Sequence, residues 1–203
     1  PDTVFSRFLN VAVPRDFMRR QHGPLHLLNI VSNPKDYRLA PLSPDEWEAV
    51  IYDELKELIH AGLISMQTVK LATYEEIKKA LMSQQPHIIQ FVGHGVYQNT
   101  KGYLALVDSD GEATWIVDDE TFADIFLGNT NNLHLVCLAT CESAKSDSPQ
   151  GFVGIAPKLV QRGIPAVVAM QYPILISSAK VFLKNFYQDI AARKPVDWAV
   201  QDA

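Results

Sequence analysis

Apolar residues in this chain form short continuous runs that alternate with longer segments of helical periodicity. The runs are LHLLNIVS at 25–32, IIQFV at 88–92, LHLVCLA at 133–139 and PAVVAM at 165–170, and LISMQTVKLA at 63–72 is predicted as a further strand. Continuous apolar runs of this length are typical of strands buried on both faces. The pattern therefore predicts an α/β fold, with a mostly parallel sheet covered by helices on both faces.

The predicted helices have recognisable ends. Ser43 is an N-cap with Pro44 at the first helical position, and Gly62 ends that helix. Thr73 followed by Glu76 forms a capping box at the start of a second helix, which closes before the next proline. Further helices are predicted over residues 118–127, 151–162 and 173–192.

The segment YLALVDSDGEATWIV departs from the alternation of strands and helices. Two apolar runs flank Ser109-Asp110-Gly111, and Asp-Gly between such runs is typical of a β-hairpin. The hairpin follows HIIQFVGHG, so we expect it to be inserted after a histidine-bearing strand that ends in a turn at GHG.

Composition and charge narrow the class of protein. With 203 residues, 47% of them apolar, the chain is long enough for one domain with a sizeable core. A formal net charge of -5 argues against a nucleic-acid surface. We find no bilayer-spanning run and no signal-peptide core, so we expect a cytoplasmic protein without a membrane partner. Cys137 and Cys141, if both lie in one extended strand, are roughly 13 Å apart, which is too far for a disulfide.

Two strand ends carry candidate chemistry. In an open α/β sheet, reactive groups collect at the carboxyl ends of the strands. His94 follows IIQFV and Cys141 follows LHLVCLAT. A cysteine needs a base to become a thiolate nucleophile at neutral pH, and histidine is its usual partner. These two residues are therefore candidates for a base and a nucleophile.

The motifs together resemble those of a known family. LHLLNIVSNP, PHIIQFVGHG, GYLALVDSDG, LVCLATCESA, GIPAVVAMQYPI and FYQDIAARKPVDWAVQDA occur in this order. The chain resembles the CHAT family of caspase-like peptidase domains, relatives of the caspases, separases and gingipains, over residues 24–203, with 1–23 as a lead-in segment. Its histidine and cysteine are 47 positions apart, and caspases place the histidine about 50 residues before the cysteine.

The resemblance implies a caspase-like three-layer fold and a cysteine-type endopeptidase that needs no cofactor and no metal. His94 and Cys141 would form the catalytic dyad. The backbone N–H groups of Gly95 and Cys141 would form the oxyanion hole, since glycine lets the backbone approach a substrate carbonyl closely. We expect Gly93 to free the turn before the histidine.

The resemblance also suggests where the substrate side chain before the cut would bind. Glu142 and Asp147 follow the cysteine, and Gln171 and Tyr172 follow the next strand; these four residues are candidates for the pocket. Ala139-Thr140-Cys141-Glu142-Ser143 stands in place of the caspase sequence Gln-Ala-Cys-Arg/Gln/Gly-Gly. Because no arginine lies near Cys141, we expect a pocket that does not select aspartate.

Structural interpretations stand beside these chemical ones. Cysteine is among the most buried residue types, so Cys141 is also a candidate core residue, and Cys137 inside its apolar run is expected to be core. A zinc site built from both cysteines and a histidine is disfavoured, because an extended strand separates the sulfurs. The remaining histidines are interpreted as structural or surface residues: His22, His26, His60, His87 and His134.

Three functions from different classes therefore stay open. The first is an endopeptidase acting on proteins or peptides, controlled by regulatory repeat or sensor domains of the same or a partner protein. The second is a catalytically silent caspase-like scaffold or adaptor domain. The third is a flavodoxin-like small-molecule or nucleotide-binding domain, although the chain contains neither phosphate-binding glycine motif. The abrupt ends of the chain suggest a domain excised from a larger protein.

Overall fold

A single sheet forms the centre of the molecule. The computed structural model describes residues 23–35, 42–98, 101–128, 131–140, 154–170 and 175–203, and these contain seven strands. The strands are β1 (Leu25–Val31), β2 (Ile64–Val69), β3 (Ile88–Gln98), β4 (Lys101–Val107), β5 (Thr114–Asp118), β6 (Leu135–Thr140) and β7 (Ala166–Ala169). Five of them run parallel in the order β2-β1-β3-β6-β7, which confirms the predicted mostly parallel sheet.

Strand β3 belongs to two different pairings. Its first part, Ile88–Gly93, lies between β1 and β6 in parallel register. Its second part, His94–Gln98, pairs antiparallel with β4, and β4 pairs antiparallel with β5. The predicted hairpin is therefore confirmed, but the predicted turn at GHG is wrong. The chain stays extended there because β4 supplies hydrogen-bond partners for the backbone of β3 beyond the ends of β1 and β6.

Six helices of the described residues cover the two faces of the sheet. They are α1 (Pro44–His60), α2 (Tyr74–Gln84), α3 (Asp119–Asp124), α4 (Ile155–Gln161), α5 (Ile176–Ala191) and α6 (Val196–Asp202). Helices α2, α3 and α4 pack on the face that carries Ile89 and Phe91, and α1, α5 and α6 pack on the face that carries Ile88 and Val92. Successive residues of a buried strand thus pack into two separate hydrophobic cores, one on each face of the sheet. The architecture is the caspase-like three-layer arrangement expected from the sequence.

The ends of the elements show which local signals act. Ser43 caps α1 by accepting a hydrogen bond from the N–H of Glu46. Thr73 does the same for Glu76 at the start of α2, while its own N–H bonds to the carbonyl of Leu71, so half of the predicted capping box forms. The hairpin turn closes on the Asp108 carboxylate, which accepts from the N–H groups of residues 112 and 113.

Helix α6 was not predicted. This helix has seven residues, follows Pro195 and buries Ala199. A segment of that length has too few turns to show an amphipathic repeat. Within the described parts of the chain, no helix combines the length and the apolar character needed to cross a bilayer.

Three imidazoles lie in a row at the amino-terminal edge of the parallel sheet. The His87 ring is 5.0 Å from that of His26 and 6.0 Å from that of His134, centroid to centroid. The N–H of His26 donates to His87 Nδ1 over 2.9 Å, so this nitrogen carries a lone pair and the ring is neutral. Burial, assisted by the charges of His26, His134 and Arg193, lowers the pKa of His87 to about 4.

Because His87 is buried and neutral at this edge, we expect the protein to lose stability in mild acid. The unfolded chain binds a proton at His87 near the ordinary pKa of 6.5, and the folded chain binds it near 4. The contribution of His87 to the free energy of unfolding should therefore be complete above pH 6.5. It should fall by on the order of 2 kcal/mol as the pH drops towards 4. Urea unfolding at several pH values measures it.

His87→Gln is the matched control, because an amide oxygen can accept the hydrogen bond of His26 without titrating in this range. Its stability should depend less steeply on pH than that of the parent protein. The slope should not vanish, since burial also lowers the pKa of His134. If the free energy of unfolding depended on pH equally steeply in both proteins, His87 would not be the source of the acid sensitivity.

Candidate active site

The end of the parallel pairing between β3 and β6 defines the candidate site. In the parallel pairing of β3 with β6, the last residues in register are Gly93 and Thr140. The next residue of β3 is His94, and the next residue of the chain after β6 is Cys141. Cys141 lies outside the described residues, as do the four pocket candidates Glu142, Asp147, Gln171 and Tyr172.

His94 lies within β3 and is buried, with 2% of its surface exposed. Its register partner in β4 is Ala105, and Gly95, the candidate oxyanion-hole residue, lies opposite Leu104. Strand alternation puts His94 on the same side of the sheet as Gln90 and Val92. The backbone around the histidine is therefore fixed by a strand pairing rather than by a turn.

Ser32, at the carboxyl end of β1, joins the two parts of the sheet beside His94. Its N–H donates to the carbonyl of Val92 over 2.8 Å, and its hydroxyl donates to the carbonyl of Ala105 over 2.7 Å. The side chain is completely buried. No motif marked Ser32 as a site residue, although it is a polar residue at the end of an apolar run.

Gly93 is required because its missing side chain leaves room for a neighbouring ring. It does not form a turn, and this corrects the role expected from the sequence. A Cβ at this position would lie 2.7 Å from Cε1 of Phe91 and 3.3 Å from Cβ of Ser32. The Phe91 ring is fully buried and meets the Phe122 ring edge-on at 5.5 Å. The ring folds back over Gly93, and a side chain there would have to displace it.

Cys137, the other cysteine, is a buried free thiol in β6, as predicted. Burial raises the pKa of Cys137 to about 12. Almost none of it is thiolate at neutral pH, so Cys137 is unsuited to act as a nucleophile.

Among the described residues, no group of three or more histidine, cysteine, aspartate or glutamate side chains is arranged to hold a metal ion. The disfavoured zinc arrangement needs Cys141, and this residue lies outside that part of the chain.

Comparison with known proteins identifies a family. A family model described as CHAT domain matches residues 6–203. A search of the curated proteins gave no significant match.

Gly93→Ala should destabilise the fold because its new methyl group overlaps the Phe91 ring. We expect the free energy of unfolding to fall by about 1–3 kcal/mol, the usual cost of overpacking a core. Denaturant unfolding measures the loss.

The double variant Gly93→Ala/Phe91→Leu provides the control. Phe91→Leu alone should also destabilise, but the smaller side chain leaves room for the methyl group. The double variant should then lose less stability than the sum of the two single losses, by more than about 0.5 kcal/mol. Strict additivity would show that the ring does not occupy this space.

Proposed function

The chain belongs to the CHAT domain family, which is related to the caspase-like peptidases, and from this we propose that it is a cysteine endopeptidase. Cys141 would be the nucleophile and His94 its base. The observation that carries the proposal is the register of β3 and β6. It runs through Gly93 and Thr140, so the histidine and the cysteine are the next residues of two hydrogen-bonded neighbours.

Covalent geometry limits how far apart the dyad can be. Consecutive Cα atoms are about 3.8 Å apart, and neighbouring strands are separated by about 4.8 Å. Thr140, which directly precedes Cys141 in the chain, lies opposite Gly93, which directly precedes His94. This register supports a pairing of the two side chains.

The burial and pairing of His94 also support the proposal. A base that must accept a proton from one atom and deliver it to another acts best when its position is fixed in advance. The pairing with Ala105 and the hydrogen bonds of Ser32 hold the backbone on both sides of this histidine. This framework provides the fixed position.

The proposed reaction is acyl transfer through a thioester. The Cys141 thiol gives its proton to His94, and the thiolate attacks the carbonyl carbon of the scissile peptide bond. The backbone N–H groups of Gly95 and Cys141 hold the oxyanion. The C–N bond breaks as His94 protonates the leaving amine, and water then hydrolyses the thioester with the same histidine as base.

Substitution of either dyad residue should abolish peptide hydrolysis. We expect Cys141→Ala and His94→Ala each to lower kcat by at least about 10³-fold, and the double variant to be no worse, because the two side chains act as a unit. Steady-state hydrolysis of a peptide library measures the effect.

His60→Ala is the matched control, since this histidine is exposed at the end of α1, far along the chain from the site. It should retain full activity. Full activity in Cys141→Ala would remove the dyad hypothesis. If the unsubstituted protein cleaves no member of the library, the result would instead favour a catalytically silent scaffold or adaptor domain.

The two cysteines should differ in reactivity towards iodoacetamide. Cys137 is 3% exposed with its pKa raised to about 12, whereas a histidine-assisted Cys141 would supply thiolate near neutral pH. We expect native Cys141 to be alkylated at least about 10²-fold faster. Mass spectrometry of the modified peptides gives both rates.

In urea the two rates should become similar, which tests that the fold causes the difference. His94→Ala should slow the alkylation of Cys141 near neutral pH and leave that of Cys137 unchanged. Equal labelling of both cysteines in the native protein would contradict the proposal.

A further inference from the structure

Ser32, which directly follows β1, bonds to both of the strands that hold His94. Its N–H donates over 2.8 Å to the carbonyl of Val92, two residues before His94 in β3. Its hydroxyl donates over 2.7 Å to the carbonyl of Ala105, the residue of β4 directly opposite His94. A single residue therefore connects the end of β1 to the two strands whose pairing includes the histidine.

The hydroxyl of Ser32 specifies a position more strictly than apolar contacts do. Apolar contacts have no preferred direction, whereas a hydrogen bond requires a particular distance and angle. Ser32 is completely buried, and its Cβ would lie only 3.3 Å from a Cβ at Gly93. In such an interior a hydrogen bond is strong, and removing its donor leaves the carbonyl of Ala105 with one partner fewer.

A second contact holds the same hairpin, but at its turn. The N–H of Lys35 donates to the carbonyl of Glu112 over 3.3 Å, and the two side chains form an ion pair at 3.2 Å. These side chains are 73% and 75% exposed, and an exposed ion pair contributes little to stability. The Lys35–Glu112 pair therefore provides a matched comparison for the buried bond of Ser32, which lies at the level of His94.

We propose that Ser32 is a positioning residue, whose hydroxyl holds β4 against the end of β1 and thereby fixes the orientation of His94. The inference rests on the proposed function, in which His94 accepts and delivers a proton. Without the hydroxyl, β4 can shift relative to β1, and the close-packed interior transmits that shift to the paired histidine. A misplacement of about 1 Å of a reacting group lowers a rate by up to about 10²-fold.

Ser32→Ala tests this inference, because it removes the hydroxyl and leaves the backbone bond to Val92 in place. We expect kcat to fall about 10-fold, with KM changed by less than about 2-fold, since the base is displaced and the binding of substrate is not altered. Hydrolysis of the same peptide library gives both constants.

Nuclear magnetic resonance of the histidine rings gives a second reading that does not depend on hydrolysis. The signal of His94 is assigned by its loss in His94→Ala. It should be a single sharp signal in the parent protein, and it should shift and broaden or split in Ser32→Ala, because the ring then adopts more than one orientation. The signal of His87, at the opposite edge of the parallel sheet, should stay unchanged in Ser32→Ala.

Two further variants serve as controls. Glu112→Gln removes the exposed ion pair at the hairpin turn and should match the parent protein in kcat and in the signal of His94. Val117→Ala removes buried apolar atoms from β5 of the same hairpin. It should lower the unfolding midpoint and leave kcat and the signal of His94 close to those of the parent protein. If Ser32→Ala behaves like Val117→Ala in both readings, the positioning role is overturned.

The experiment separates this inference from the proposed function. If the parent protein shows no hydrolysis that depends on Cys141, the endopeptidase proposal fails, and the resonance of His94 alone decides the role of Ser32. A signal that changes in Ser32→Ala but not in Glu112→Gln or Val117→Ala supports the role. A signal that is unchanged in Ser32→Ala, or that changes equally in Val117→Ala, overturns it.

Discussion

The long central strand β3 imposes the constraint on which the rest of the structure depends. Its parallel neighbours β1 and β6 cover its first part and then end, while β3 continues to Gln98. The uncovered backbone needs new hydrogen-bond partners, and the hairpin of β4 and β5 supplies them. His94 lies at this change of partner, where the parallel edge ends and the antiparallel pairing begins. The hairpin is thus a support for the candidate base as well as an insertion.

Much of this architecture follows from local sequence signals. Four apolar runs and the segment LISMQTVKLA located the five parallel strands, and the caps at Ser43 and Thr73 located two helix starts, because these features depend on a few neighbouring residues. The Asp-Gly turn predicted the hairpin for the same reason. The alternation of strands and helices predicted the helices on both faces of the sheet, and the family motifs added the resemblance to the caspase-like fold.

Features that depend on contacts between distant segments were not predictable. The glycines around His94 suggested a turn, yet Gly93 is explained by the ring of Phe91, whose position no local pattern specifies. Likewise, Gln90 and Cys137 appear in the sequence as isolated interruptions of apolar runs. Their alignment with each other requires the register of two strands, and the hydrogen bond from the Tyr187 hydroxyl to Gln90 requires the docking of α5. The positions of Cys141 and the four pocket candidates stay predictions.

The overlap of Phe91 and Gly93 has a consequence for how sequences with this backbone can diverge. The two positions share one volume on the same face of β3, so neither residue type is required by itself. A chain that accepts a side chain at position 93 needs a smaller one at position 91, and a large ring at 91 allows nothing beyond hydrogen at 93. The two positions should therefore change as a pair. The presence of glycine before the histidine reports the size of the side chain at position 91 rather than a catalytic requirement.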